Sequence, residues 1–197
     1  MALLKIVTPP DKRLRTKAEV APEVNDAIRK IMDDMLQTMY HDGGIGLAAN
    51  QVGVLLQIAV IDIQDSDDEN RPAGFFPLFL ANPVCTFYSE ETSVFKEACL
   101  SLPGISVDVT RPKSIKLSYV DRNNQPQTLQ SDGFLARVVQ HEMDHLAGRL
   151  IVDHASKIKR DMLMKRLVKI NQEAASKAPK QYPDQASNQA PNAALKS

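Results

Sequence analysis

Between Val24 and Tyr40 the apolar residues Ile28, Ile31, Met32, Met35, Leu36 and Met39 recur every three or four positions, with acids and bases between them. That spacing places them on one side of a helix and predicts an amphipathic element whose methionine-rich stripe faces a core. Residues 41–46 are glycine-rich and read as a loop. Beyond them the pattern shortens. Residues 56–63, 78–81, 84–88 and a segment through 93–99 are short runs rich in aliphatic and aromatic side chains, as strands are. Residues 114–120 and 126–129 flank Asp121-Arg122-Asn123-Asn124-Gln125, a polar cluster that predicts a hairpin loop. Residues 65–72 are polar and acidic and suit an exposed loop.

A second helix is expected to follow Asp132-Gly133 and run to about Leu146. Asp132 is placed to cap its start, and Gly148 to end it in a left-handed conformation. A third helix covers 157 to about 174. The remaining 175–197 is rich in Ala, Pro, Gln, Asn and Ser, with almost no large apolar group. Such a tail cannot bury enough surface to offset its ordering entropy and is expected to be disordered, which leaves 1–174 as one catalytic domain. Strands mixed with a few helices, without regular βαβ alternation, point to an α+β fold. Short, mostly antiparallel strands would pack around the second helix, with one helix N-terminal and one C-terminal to them.

Composition narrows the function. A chain of 197 residues can bury a real core, and its 24 basic and 24 acidic residues leave it formally neutral. Neutrality argues against specific nucleic-acid binding, and no apolar run approaches the ~20 residues of a membrane span. The apolar N-terminal stretch is too short for a signal peptide and is interrupted by Pro9 and Pro10. The two cysteines, Cys85 and Cys99, have no CxxC spacing, which suits a reducing, cytoplasmic setting.

The chemistry sits on the second helix. His141-Glu142-Met143-Asp144-His145 is an HExxH motif. Residues four apart share a helical face, so both imidazoles can reach one metal ion. Glu142, turned by roughly 100°, is placed near a metal-held water, where a carboxylate can take a proton and pass it to a leaving amine. Phe134, Leu135, Val138, Val139 and Leu146 form an apolar stripe that would carry the histidines inward, and buried imidazoles need partners. A third ligand is less obvious. Ile151 stands where a third histidine would follow in HExxHxxGxxH, His154 comes three residues late, and Glu173 is the only glutamate after Glu142. Cys99, in Glu97-Ala98-Cys99-Leu100-Ser101, is the better candidate, because a thiolate is a strong ligand for zinc or ferrous iron. Cys85 lies in an apolar strand and reads as a small hydrophobe.

Three segments together resemble the peptide deformylase family: Gly44-Ile45-Gly46-Leu47-Ala48-Ala49-Asn50-Gln51, Glu97-Ala98-Cys99-Leu100-Ser101 and Gln140-His141-Glu142-Met143-Asp144-His145-Leu146. They occur in the family's order, and the likeness extends from about residue 2 to 170. The resemblance implies metal ligation by Cys99, His141 and His145, with water in the fourth position and Glu142 as general acid/base. It implies that Gln51 and the Leu100 backbone N–H stabilise the oxyanion. It implies one divalent ion per chain, typically Fe2+, with Zn2+, Ni2+ or Co2+ able to substitute. The substrates would be N-formyl-methionyl nascent peptides, and the ribosome is a candidate transient partner, the third helix being basic. Gly44 and Gly46 would let the loop backbone approach a peptide closely, and Ile45 and Gly46 would pair with it as an added strand. Val138 and Phe134 would wall the methionine slot, with Arg137 nearer its rim.

The family pattern is departed from in two places. Ala98 stands where the family usually has glycine, and Ser106 where many members carry an arginine. The extra methyl could narrow the peptide cleft or forbid a backbone angle that glycine reaches easily. Glu97 and Arg111 could pair across strands. Two other readings stay open: a zinc endopeptidase using the same HExxH, and a low-activity deformylase-like protein that keeps fold and metal.

Overall fold

A computed structural model describes residues 2–64 and 75–177. The acidic loop expected at 65–72 lies outside them, as does nearly all of the expected tail. The first helix, α1 (Asp26–His41), begins at Asn25, whose side chain accepts the Ile28 N–H. Its Ile28, Met32, Met35 and Met39 are fully buried against Leu47, Ile58 and Val60, so the methionine stripe is core.

Five strands form an antiparallel sheet in the order β1 (Gly46–Ala48), β2 (Ile58–Ile61), β3 (Leu78–Tyr88), β6 (Ser114–Val120) and β7 (Pro126–Asp132). The two expected runs at 78–81 and 84–88 are one strand, β3, bent by register shifts between Ala81 and Val84 and between Cys85 and Phe87. The β6–β7 hairpin forms as expected. Asp121 takes the N–H groups of Asn123 and Gln125, and Asn124 adopts φ 60.

A second, two-stranded sheet pairs β4 (Thr92–Ala98) with β5 (Ser106–Pro112). The helix α2 (Gly133–Leu146) crosses between the two sheets. Its Leu135, Ala136, Val138 and Val139 pack on Ile61, Leu80, Ile115 and Leu117. Phe134 departs from the expected inward stripe and is half exposed. Asp132 holds the N-cap position, but its side chain makes no capping bond. Gly148 has the expected positive φ, and a methyl there would collide with the Arg15 carbonyl. The last helix, α3 (Lys157–Lys177), buries Leu167 among Leu150, Ile151 and Val152 and leaves Ile158, Met162 and Val168 exposed. The architecture is α+β, as the sequence leads one to expect.

Candidate metal centre and peptide cleft

Cys99 follows directly on β4, while His141 and His145 stand one turn apart on α2, where their rings lie 5.0 Å apart. The ligand atoms of all three lie within 4.8 Å of one another, and Cys99 Sγ is 3.2 Å from His145 Nε2. Such a thiolate and two imidazoles leave an open position when they hold one ion tetrahedrally. The alternatives for the third ligand lie elsewhere. His154 is committed to Asp144 at 2.9 Å, and Glu173 sits exposed on α3.

The electrostatics suit a cation. Burial alone would lower the His141 pKa, but contacts with Cys99 and Glu97, and the negative charge of Glu142, drive it well above the ordinary imidazole value. Burial, with the positive charges of His141 and Arg111, pushes His145 well below it, so His145 is neutral, which is the form that ligates. Burial also pushes Glu142 up to about 7, against the pull of His141 and Arg111. Its Oε2 is buried without a hydrogen-bond partner among the described residues, as is Nδ1 of His145. A buried site with surplus acceptors and unpartnered polar atoms calls for a bound cation and its solvent. The residues fit a divalent metal.

Glu97 organises the surroundings. Its carboxylate takes the Arg111 fork at 2.7 and 2.9 Å, Arg137 Nη1 at 2.7 Å and His141 Nδ1 at 2.9 Å. Burial alone would raise its pKa, but the bonds from His141 and Arg111 hold it well below the carboxylate range. The pairing of Glu97 with Arg111 expected from sequence is therefore present, though not as directly opposed residues. Glu97 faces Val107 and Arg111 faces Ser93, and the long side chains close the distance. With Nδ1 of His141 so committed, its Nε2 is the nitrogen left for a metal.

A cavity of about 380 Å³ opens over this centre. It is lined by Gly44, Ile45, Gly46, Gln51, Ala98, Cys99, Leu100, Phe134, Val138, His141 and Glu142, so only His145 among the expected site residues lies behind the wall. Gln51 sits on a 3-10 turn, Ala49–Val52, and is fully buried. Its Oε1 accepts the Ala48 N–H at 2.8 Å, which aims Nε2 toward Cys99 Sγ at 3.5 Å and Ser101 Oγ at 3.3 Å. The Leu100 N–H has no hydrogen-bond partner among the described residues.

The cavity lies between two unpaired strand edges, since β1 ends one sheet and β4 ends the other. Ile45 C=O accepts the Asp62 N–H at 2.9 Å. By the alternation of an antiparallel ladder, the peptide groups of Gly46 then point to the free edge. Ala98 closes β4 with no positive φ, so its backbone is open to any residue and its methyl affects only the width of the cleft. Ser106 is its directly paired neighbour on β5.

The sequence reading missed Phe95 and Lys96, which line the cavity; Arg137 lines it too, but is buried rather than exposed. Counting back in twos from Cys99 reaches Glu97 and Phe95 on one strand face, and that was the available signal. Cys85 is half buried, with its sulfur 3.2 Å from that of Met143, and stays a packing residue.

A family model described as Polypeptide deformylase matches residues 3–161 of this chain. Peptide deformylase of Rickettsia akari is 50% identical over 170 residues, which cover 86% of this chain and 97% of that protein. The crystal structure of peptide deformylase from Ehrlichia chaffeensis is 37% identical, covers 88% of this chain and 99% of its own, and superposes with a TM-score of 0.82. The same protein in complex with actinonin is 39% identical over 87% of this chain and 99% of its own, with a TM-score of 0.81.

Proposed function

This chain belongs to the polypeptide deformylase family, and from that premise we propose which of its own residues carry the reaction. The enzyme removes the N-formyl group from newly made polypeptides and releases formate. Cys99, His141 and His145 hold the divalent metal, and Glu142 moves the proton. Gln51 Nε2 and the Leu100 N–H receive the negative charge that develops on the formyl oxygen. The observation that supports this reading is the convergence of Cys99, His141 and His145 at a cavity lined also by Glu142 and by Gln51, whose amide is held in advance by the Ala48 N–H.

When bound, the metal supplies Lewis-acid polarisation of the carbonyl and acidifies water at neutral pH. Glu142 takes a proton from the attacking water as its oxygen bonds to the formyl carbon. It then delivers that proton to the peptide nitrogen as the C–N bond breaks, which leaves formate and a free amino terminus. The Ala48 N–H fixes the Gln51 amide in advance, so the oxyanion donor need not reorganise. Gly46 offers its peptide groups to the substrate backbone, while Phe134 and Val138 face the methionine side chain. Ferrous iron is the native metal in this reading, on the strength of a thiolate and two imidazoles in a family that is metal-dependent. The setting is the cytoplasm, with the ribosome as a transient partner through the basic helix α3. No helix among the described residues is long and apolar enough to cross a membrane.

The direct test is formate release from formyl-Met-Ala-Ser by protein loaded anaerobically with ferrous iron. Release by the parent supports deformylation; a folded, metal-loaded protein that releases none overturns it. Cleavage of unformylated peptides would favour the endopeptidase instead. A second expected result comes from the shape of β1. A methyl group added at Gly46 would overlap the Glu142 carboxylate and press on Val138. Gly46→Ala is expected to lower kcat/KM by ten-fold or more while the fold and metal content are kept, because misplacing a reacting group by ~1 Å can cost roughly 100-fold. Wild-type kinetics in that variant would show that the cleft tolerates a shift of Glu142.

A further inference from the structure

Arg137 precedes His141 by one turn of α2, and the chemistry above gives it no task. Helical arginines ordinarily reach solvent, yet this one is 6% exposed. Its Nη1 donates to Glu97 Oε1 at 2.7 Å and to the Val109 carbonyl at 3.0 Å. Its Nη2 donates to the Ser93 carbonyl at 2.8 Å and to Ser93 Oγ at 2.9 Å. Its guanidinium carbon lies 5.6 Å from the centre of the Phe95 ring, which meets Phe134 edge-on at 6.1 Å.

The consequence for Glu97 is specific. Arg111 reaches both carboxylate oxygens, Arg137 adds a second donor to Oε1, and His141 adds a second donor to Oε2. Each oxygen then holds two donors, and the carboxylate cannot turn without breaking one. Without Arg137, Oε1 would keep only Arg111, and the Oε2 bond that orients the His141 ring would lose its counterweight. The guanidinium also fills the space beneath Phe95. Only a planar fork reaches acceptors on β4 and β5 and packs on a ring at once; a lysine cannot.

We propose that Arg137 is a positioning residue with two outputs. It pins Glu97, and so the metal-facing orientation of His141, and it holds Phe95 against Phe134 as the wall met by the substrate's first side chain. This rests on the reading of Cys99, His141 and His145 as the metal site. The test uses full-length Arg137→Met and Arg137→Lys, stripped of metal and titrated with Co2+ against a competing chelator. The Co2+ visible spectrum is recorded alongside, and KM is measured for formyl-Met-Ala-Ser and formyl-Ala-Ala-Ser.

Arg137→Met is expected to bind Co2+ about 10–100-fold more weakly, with a changed visible spectrum. Its KM is expected to rise about 2–10-fold more for the methionyl than for the alanyl peptide, a ratio that mere destabilisation would not move. Arg137→Lys should fall between the two. A folded Arg137→Met with the parent's Co2+ affinity and the parent's KM ratio overturns the proposal. Should that variant fail to fold, Ser93→Ala decides, since it removes one acceptor from the guanidinium. A smaller shift of both readouts in the same direction supports the proposal, and parent values overturn it. Failure of the parent to bind Co2+ with thiolate absorption would overturn the metal reading itself, before any variant is compared.

Discussion

Glu142→Gln is expected to release formate about 10²–10⁴-fold more slowly than the parent, the usual worth of a positioned acid/base. That loss equals roughly 3–5.5 kcal/mol of activation free energy. Glutamine keeps the size of the side chain and cannot carry the proton, so kcat should fall with little change in KM. Metal content should hold, because Glu142 is not among the three converging ligands. The carboxyl is also costly to keep. Buried and pushed up to about 7, it must ionise with one oxygen unpartnered. A raised carboxyl favours the fold below its unfolded value and loses that contribution as pH climbs through the folded one. Metal-free parent protein should therefore melt progressively lower as pH rises from about 4.5, the ordinary carboxyl value, to about 7 and level off above that, and the glutamine variant should lack that slope. Retention of more than a tenth of parental turnover would assign the proton transfer to another group.

Glu97→Gln is the substitution with the largest expected effect on the fold. Glu97, Arg111 and Arg137 are all nearly inaccessible to water, and Asp144 meets Arg111 from the other side at 2.8 Å. Removing the carboxylate's charge leaves two buried guanidinium groups with Asp144 as the remaining close anion. Breaking a buried pair in this way costs about 3–5 kcal/mol, which for a chain of this length lowers the melting temperature by roughly 6–20 °C. His141 would lose its fixed orientation too, so metal should bind about 10–100-fold more weakly. The pH dependence has a sign. Glu97 is held low, so its contribution is whole above the ordinary carboxylate range and fades only as pH falls through the depressed value. The two melting curves should converge toward acid. An unchanged melting temperature and metal content in Glu97→Gln would mean that Asp144 alone balances the arginines.

How much of this could be read without coordinates depended on how local each signal was. The span of α2, the β6–β7 loop and the α1 stripe follow from periodicity and turn chemistry within a few residues, and the structure reproduces them. Strand β5 escaped because Ser-Val-Asp-Val-Thr-Arg-Pro has only two apolar inward positions, Val107 and Val109, and its third, Arg111, is buried only because Glu97 and Asp144 come to meet it. Strand β1 is three residues long and opens on a glycine, too short to show alternation. Arg137 was placed near solvent for the reason any helical arginine would be; its partners at Ser93 and Glu97 lie 40 or more positions away. His141, Glu142 and His145 were legible together because HExxH carries its geometry in its spacing. Cys99 was a candidate through the affinity of a thiolate for such metals and the poor fit of His154 and Glu173, while its distance in the chain concealed the contact itself.

The cleft between β1 and β4 has an implication for breadth of service. Those two borders present main chain to a visitor, and main chain is the one feature every protein shares. In the proposed reading, once the first residue is seated, turnover should vary little with the side chains behind it. A reaction carried out on newly made polypeptides of differing sequence is served by a surface that ignores their differences. In the proposed reading, discrimination is concentrated where Phe134, Val138, Cys99 and His141 line the cavity around the leading residue.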